Sequence, residues 1–161
     1  MKSFRPTTPS RRHTILTPYK ELLSGDAKEK PKGLVRGRRK TGGRNNQGRI
    51  TMRHIGGGNK TLLRTVDFSS NQRDVSGRVA AVQYDPQRSA FVALVVYKDG
   101  ERRYVIANKG LKAGDVVLAS ETAPVALGNR LPLKKIPVGT FVYNVELQPG
   151  GGGKIARSAG N

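Results

Sequence analysis

Apolar and polar positions are not distributed evenly along the chain, and the change of rhythm is its first informative feature. From residue 77 onward, apolar residues fall into short runs: "GRVAAVQY" (77–84), "AFVALVVY" (90–97), "RRYVIA" (102–107) and "VVLAS" (116–120). "TLLRTVDF" (61–68) precedes them. Short runs of branched and aromatic residues bounded by turn residues predict strands. The connections agree. "DPQRS" places Pro86 at the second position of a turn, and "KDGE" sets Asp99-Gly100 between two strands, the strongest short hairpin signal. "NKGLKAGD" is a tight glycine-punctuated loop. Five short strands with no long helix between them predict an all-β fold, a small antiparallel barrel. The run 90–97 is apolar at both odd and even positions, so that strand is expected to be covered on both faces.

A second unit is expected from about Gly128. "GTFVYNVEL" (139–147) alternates, with Phe141, Tyr143, Val145 and Leu147 on one side and Val142, Asn144 and Glu146 on the other, which predicts a strand over a core. Only two or three strands fit into this part, too few for a stable independent domain. Ahead of residue 61 the rhythm disappears. "PYKELLSG" (18–25) could form a helical turn or two, and residues 36–60 are rich in glycine and arginine. Such composition cannot bury enough apolar area to offset chain entropy, so disorder in isolation is expected. The organisation read this way is a basic extended arm (1–60), a barrel (61–125) and an incomplete second unit (126–161).

Charge sharpens the division. The 161 residues carry a formal net charge of +19. Residues 1–64 hold 17 Lys+Arg against 3 Asp+Glu, net +14, and residues 65–161 hold 13 against 8, net +5. Nine basic residues and no acid lie from Arg36 to Arg64. Linkers that merely need solvation mix signs; this one calls for a polyanion, and nucleic acid is the commonest. No apolar run is long enough to span a bilayer, so no membrane partner is expected. The start "MKSFRPTTPSRRH" lacks the apolar core of a secretory signal, and a cytoplasmic protein is expected.

The candidate chemistry is binding rather than catalysis. There is no cysteine, which removes disulfides, thiolate metal sites and cysteine nucleophiles. "GGGNKT" (56–61) resembles a nucleotide phosphate loop, but Asn59 precedes Lys60 and Met52 occupies the position of the first glycine, so the spacing fails. His13 and His54 have no ligand partners at metal spacing. Asp67, Asp85, Asp99 and Asp115 sit in or beside turns, where aspartate is ordinary. No nucleophile–base set stands out, and no cofactor, metal or small-molecule substrate is expected. Arginine outnumbers lysine seven to two between residues 36 and 64, and guanidinium forks grip phosphates bidentately. Glycines there let a backbone approach phosphates and donate N–H groups. A free barrel that binds single-stranded nucleic acid is the alternative; it would want aromatic platforms, and aromatics make up 6% of the chain with no tryptophan.

Three stretches carry a resemblance: "TGGRNNQGRITMRHIGGGNK", "YDPQRSAFVALVVYKDGERRYVIANKGLKAGD" and "GNRLPLKKIPVGTFVYNVELQPGGGGKIARSAG". Together they resemble the L-two family of large-subunit ribosomal proteins in its bacterial form, and the likeness runs from Arg5 to Gly160. It implies an extended arm, an oligonucleotide/oligosaccharide-binding (OB) type barrel, and the start of an SH3-like barrel, incomplete in this sequence at Asn161 where the family continues. It further implies a structural, non-enzymatic role. The protein would bind large-subunit rRNA beside other ribosomal proteins, support assembly and subunit association, and lie around the peptidyl-transferase centre. The rRNA-contacting residues expected are Arg36, Arg38, Arg39, Lys40, Arg44, Asn45, Asn46, Arg49, Arg53, His54, Gly56, Gly57, Gly58, Lys60 and Arg64 in the arm and its exit. In the body they are Arg88, Ser89, Arg157 and Ser158. The chain departs from the family at Ser69 and Ser70, where basic residues are frequent, and at Asn59, where histidine is usual.

Overall fold

A computed structural model describes residues 1–26 and 28–160. The arm opens with β1 (Lys2–Ser3), a single turn α1 (Pro9–Arg12), β2 (Ile15–Leu16), a second turn α2 (Tyr19–Leu22) and β3 (Ser24–Gly25). Thr8 caps α1 by accepting from the Arg11 amide, and Pro9 fills the first helical position, where a missing N–H costs nothing. α2 is the helical turn expected in "PYKELLSG". Further on lie β4 (Val35–Gly37), β5 (Leu62–Arg64), β6 (Gly77–Gln83), β7 (Val92–Tyr97), β8 (Arg102–Ile106) and β9 (Val116–Val117). A 3-10 turn (Leu133–Lys135), β10 (Val145–Glu146) and β11 (Gly153–Ile155) complete the described elements.

The central sheet runs β3-β6-β7-β8, antiparallel throughout, with β9 sharing the outer edge of β6 with β3. Beyond β8, the chain at Val66 bridges Tyr104 and the Asp67 amide donates to the Tyr104 carbonyl at 2.7 Å, occupying the far edge. This is the small antiparallel barrel that the strand pattern predicts, of the OB type that the resemblance implies. Asp99-Gly100 turns β7 into β8: Gly100 adopts φ +86° and its amide reaches the Tyr97 carbonyl at 3.0 Å.

The run 90–97 is indeed covered on both sides. Ala93, Val95 and Tyr97 join Val79, Val82, Leu111 and Val117 in one core cluster, whereas Val92 and Leu94 join Tyr104 in the other. Burying each such side chain contributes roughly 1.5–3 kcal/mol. Val79 and Val82 are three apart yet face one core, because a bulge between Val79 and Ala81 inserts a residue and flips the alternation. The second cluster is closed by Leu34, Val35, Val66 and Ala80.

Two sequence expectations change here. The segment expected as an extended arm supplies strands: β3 pairs with β6 in the central sheet, and β4 pairs with β5 in a two-stranded sheet of its own. Arm residues are thus sheet strands and core cover. Gly25 makes the first junction possible: at φ +68°, an added Cβ would stand 2.2 Å from the Ala80 carbonyl oxygen at the bulge. Gln83, fully buried, completes it by accepting from the Tyr104 hydroxyl at 3.0 Å and donating to the Glu29 carbonyl at 2.7 Å.

The second change concerns residues 139–147, where only Val145–Glu146 is strand. Phe141 and Leu147 are exposed, and Tyr143 is half-buried. Asn144 takes φ +51°, which breaks the period-two alternation, and its amide donates to Ala156 at 3.0 Å. No facing sheet covers Phe141 among the described residues, so alternation alone does not produce a strand there.

Candidate nucleic-acid interface

The arm's glycine- and arginine-rich segment folds back on itself through local hydrogen bonds. The Gly43 carbonyl accepts from the Thr51 amide (2.8 Å), the Met52 amide (3.1 Å) and the Thr51 hydroxyl (3.2 Å). Gly43 stands at φ +71°, and a Cβ there would lie 2.3 Å from the Met52 carbonyl oxygen. Asn45 ties the tip: its Oδ1 accepts from the amides of Gln47 and Arg49, both at 3.0 Å. Lys40 Nζ closes the base by donating to the carbonyls of Asn59 (2.8 Å) and Gly57 (3.3 Å). Arg36, Arg38, Arg39, Arg44, Asn46, Arg49, Arg53, His54, Gly56, Gly57, Gly58 and Lys60 are all exposed on this segment or its flanks. Asn45 and Lys40 are therefore builders of the loop as well as polar surface.

The structure sets Arg64 apart from that group. Its side chain is 7% exposed, it lies over the Tyr104 ring at 6.0 Å, and its Nη1 stands 3.7 Å from Asp85 Oδ1. A guanidinium held inside the barrel against a carboxylate supports the fold rather than presenting charge to a partner. β5 places it there: its neighbour Leu62, two residues earlier on the strand, pairs with Gly37, whereas Arg64 pairs with Val35 beside the second core cluster.

The body residues converge. Phe68 is the hub: the Arg157 guanidinium carbon lies 4.7 Å from its ring centroid and that of Arg88 lies 5.4 Å away. Both distances fall within cation–π range. The turns that carry the two arginines are also joined, because the Ala159 amide donates to the Ser89 hydroxyl at 3.1 Å. Ser89, Arg157 and Ser158 are exposed and Arg88 is half-buried. Arg88 is fixed by Asp85, which is fully buried and receives its Nε at 2.7 Å. The same carboxylate accepts from the Gln87 amide at 3.1 Å. Gln87 in turn contacts Arg38 through its Oε1 and Thr61 through its Nε2 at 3.2 Å, which brings the arm to the same turn.

The joint between the two units is built around the same residue. The Phe68 carbonyl accepts from the Gly153 amide (2.9 Å) and from Arg130 Nη1 (3.0 Å). Arg130 also reaches the Ser70 hydroxyl at 3.0 Å and pairs with Glu146, whose carboxylate accepts from the Gly150 amide at 2.9 Å. Ser69 and Ser70 both donate their amides to Asp67 at 2.9 Å. Burial works against the charge on Asp67, yet Arg103 and the two serine amides outweigh it and hold its carboxyl below the ordinary carboxylate range.

Sequence reasoning did not single out Phe68, Gln87, Arg130 or Glu146, and it gave Asp85 only a turn role. Asp85 does cap its turn, but its position three residues before Arg88 is the local signal of the ion pair. The others act through contacts far apart in sequence and leave no local signature. Among the described residues, no group of three or more His, Asp or Glu could hold a metal ion. Among the same described residues, no helix is long and apolar enough to cross a membrane.

What the arrangement offers is two guanidiniums positioned at one ring. Each is held at the Phe68 ring with donors left over, and an anion that reaches either one receives charge-assisted hydrogen bonds.

Comparison with known proteins agrees with this chemistry. The family model described as Ribosomal Proteins L2, RNA binding N-terminal domain, matches residues 31–119. The model described as Ribosomal Proteins L2, C-terminal domain, matches residues 126–161. The chain is 55% identical over 158 residues to the large ribosomal subunit protein uL2 of Buchnera aphidicola subsp. Acyrthosiphon pisum (strain Tuc7), covering 98% of this chain and 56% of that protein. It is 51% identical over 158 residues to the protein of the same name from Buchnera aphidicola subsp. Schizaphis graminum (strain Sg), with the same coverage. The chain thus spans about half the length of the curated relatives it matches.

Proposed function

This chain belongs to the L2 family of ribosomal proteins, and we propose that it is a structural, non-enzymatic constituent of the large ribosomal subunit, in the cytoplasm, that binds large-subunit rRNA. The observation that carries this reading is the meeting of Arg88 and Arg157 at Phe68, with their two turns linked through Ser89 and Ala159. Two units that are separate in sequence contribute one arginine each to the same ring. The exposed arm, with no acid from Arg36 to Arg64, supplies the second part of the surface. It exchanges condensed counterions for RNA phosphates and gives binding a steep salt dependence. The arm set named from sequence serves in this role apart from Arg64, which supports the fold from within. Neighbouring ribosomal proteins, subunit association and the surroundings of the peptidyl-transferase centre are the further contacts that the family relationship suggests.

The test is co-sedimentation of the tagged chain with large subunits after a high-salt wash, paired with direct binding to a large-subunit rRNA fragment across a salt series. Retention on the subunit and tighter binding to that fragment than to an unrelated duplex of equal length are expected. Loss of the chain in the wash, with equal affinity for both RNAs, refutes the assignment.

A further inference from the structure

The folded arm loop gathers three apolar side chains among its basic residues. Gly42, Arg44, Ile50, Met52, Arg53, His54, Ile55 and Gly56 line an open cavity of about 470 Å³, within the roughly 300–1,000 Å³ range of small-ligand sites. Its apolar wall is unusual for so basic a segment: Ile50 is 63% exposed, Met52 59% and Ile55 48%. These three are aimed outward by the loop's own hydrogen bonds. The Met52 and Thr51 amides are fixed on Gly43, Arg44 bridges Ile50, and His54 takes φ +58°, turning the chain just before Ile55. A non-glycine residue in that region is uncommon and costs free energy.

We propose that this cavity receives one unstacked nucleobase of a single-stranded or bulged RNA segment, its apolar face against Ile50, Met52 and Ile55. Two properties select that occupant. The lining brings Ile50, Met52 and Ile55 together with Arg44 and Arg53, in a segment that has no acid from Arg36 to Arg64. A ligand that is apolar in the middle and anionic beside it satisfies both, and a nucleotide is such a ligand. The guanidiniums hold its flanking phosphates or the acceptor edge of the base. This inference rests on the RNA-binding reading and adds to it where on the arm a base, rather than the backbone, is contacted.

The experiment compares a dodecamer adenylate RNA with an abasic RNA of the same length, at one fixed salt concentration and over a salt series. The proteins are the full chain, the triple variant Ile50→Ser/Met52→Ser/Ile55→Ser, and the single variant Met52→Gln. None changes charge, and the loop's hydrogen bonds to Gly43 come from backbone amides and Thr51; Met52→Gln also keeps side-chain length in case the triple variant loosens the loop. The triple variant is expected to lose about fivefold or more in affinity for the adenylate oligomer, Met52→Gln a smaller factor in the same direction. Affinity for the abasic oligomer and the salt slope stay unchanged. Equal losses on both oligomers, or no loss on either, overturn the base site while leaving RNA binding intact. Tighter binding of an acidic peptide than of the adenylate oligomer also overturns it. If the unsubstituted chain binds the large-subunit rRNA fragment but neither oligomer, the base site is overturned and the RNA-binding reading stands; if it binds none of the three, both fall.

Discussion

Arg88 and Arg157 meet at the same ring but are held in different ways, and truncating each to alanine separates binding from folding. Arg157 is exposed, and its one stabilising contact of note is the Phe68 ring at 4.7 Å. An exposed cation–π contact contributes about 0.5–1 kcal/mol, so Arg157→Ala should leave the urea midpoint almost where it was. Arg88 instead gives its Nε to a fully buried carboxylate at 2.7 Å. Hydrogen bonds to charged groups contribute about 1.5–3 kcal/mol, and removing one partner leaves the other desolvated. Arg64, the remaining cation near Asp85, stands at 3.7 Å and compensates only in part. Arg88→Ala should therefore cost about 1.5–3 kcal/mol of stability, and a Tm lower by about 3–10 °C for a chain of this size.

Both substitutions should weaken binding to a large-subunit rRNA fragment by about tenfold, since each deletes one charge-assisted contact. Arg88→Lys and Arg157→Lys keep the charge but not the fork, and should recover part of that loss. Neutralising Lys30 in the arm gives the background value for one lost charge. The assay is urea unfolding followed by tyrosine fluorescence, alongside RNA titrations at fixed salt and over a salt series. Equal urea midpoints for Arg88→Ala and Arg157→Ala would show that Asp85 does not anchor Arg88. Equal binding losses for Arg88, Arg157 and Lys30 would show a diffuse polycation, and the convergence at Phe68 would carry no function.

The arm junction and the acid response make further tests. Gln83→Leu strands the Tyr104 hydroxyl and the Glu29 carbonyl, costing about 1–3 kcal/mol; limited proteolysis near residues 28–30 should quicken, and an unchanged cleavage rate refutes the tie. Gly25→Ala forces a Cβ to within 2.2 Å of the Ala80 carbonyl oxygen at φ +68° and should detach β3, whereas Gly33→Ala, with open space around it, costs only backbone strain of about 1 kcal/mol. Similar stability losses for the two would contradict the close approach. Because Asp67's folded-state carboxyl titrates below its ordinary value of about 3.9, its stabilisation is complete above that pH. It is lost as pH falls through the lower folded value. Asp67→Asn should be less stable at neutral pH and lose less on acidification, and parallel pH profiles for variant and parent would refute the assignment.

What the sequence made legible and what it concealed follow from the range of the interactions. The strands β6, β7 and β8 were readable because alternation and the Asp99-Gly100 turn are local, and the two-faced burial of β7 followed from its unbroken apolar run. The bulge at Ala80 and the arm strands β3 and β4 were not, because each depends on a partner far along the chain. Residues 139–147 show the converse. Their alternation is as clean as that of β6, but a pattern yields a strand only when something covers its apolar side, and Asn144's left-handed backbone ends the pattern. For the interface, charge asymmetry identified the exposed arm. It could not distinguish Arg64 from Arg88, because both are arginines beside strands and only the fold decides that one faces inward.

Ser69 and Ser70 show how a local departure is absorbed. Where the family often carries basic residues, these serines give two amides to Asp67 and a hydroxyl to Arg130, so they build the joint rather than supply charge. Phe68, immediately before them, then has two functions on separate atoms. Its carbonyl receives Gly153 and Arg130 from the second unit, and its ring receives Arg88 and Arg157. The joint therefore helps to place both arginines, and the arm ties to the same turn through Arg38 and Gln87. On the proposed function, an RNA phosphate reaching these arginines would find them already held, with less side-chain entropy to lose on binding. The arm contributes charge over a long stretch, and the ring at Phe68 contributes geometry. Affinity that falls steeply with salt yet retains a preference for one RNA is the behaviour expected of that division.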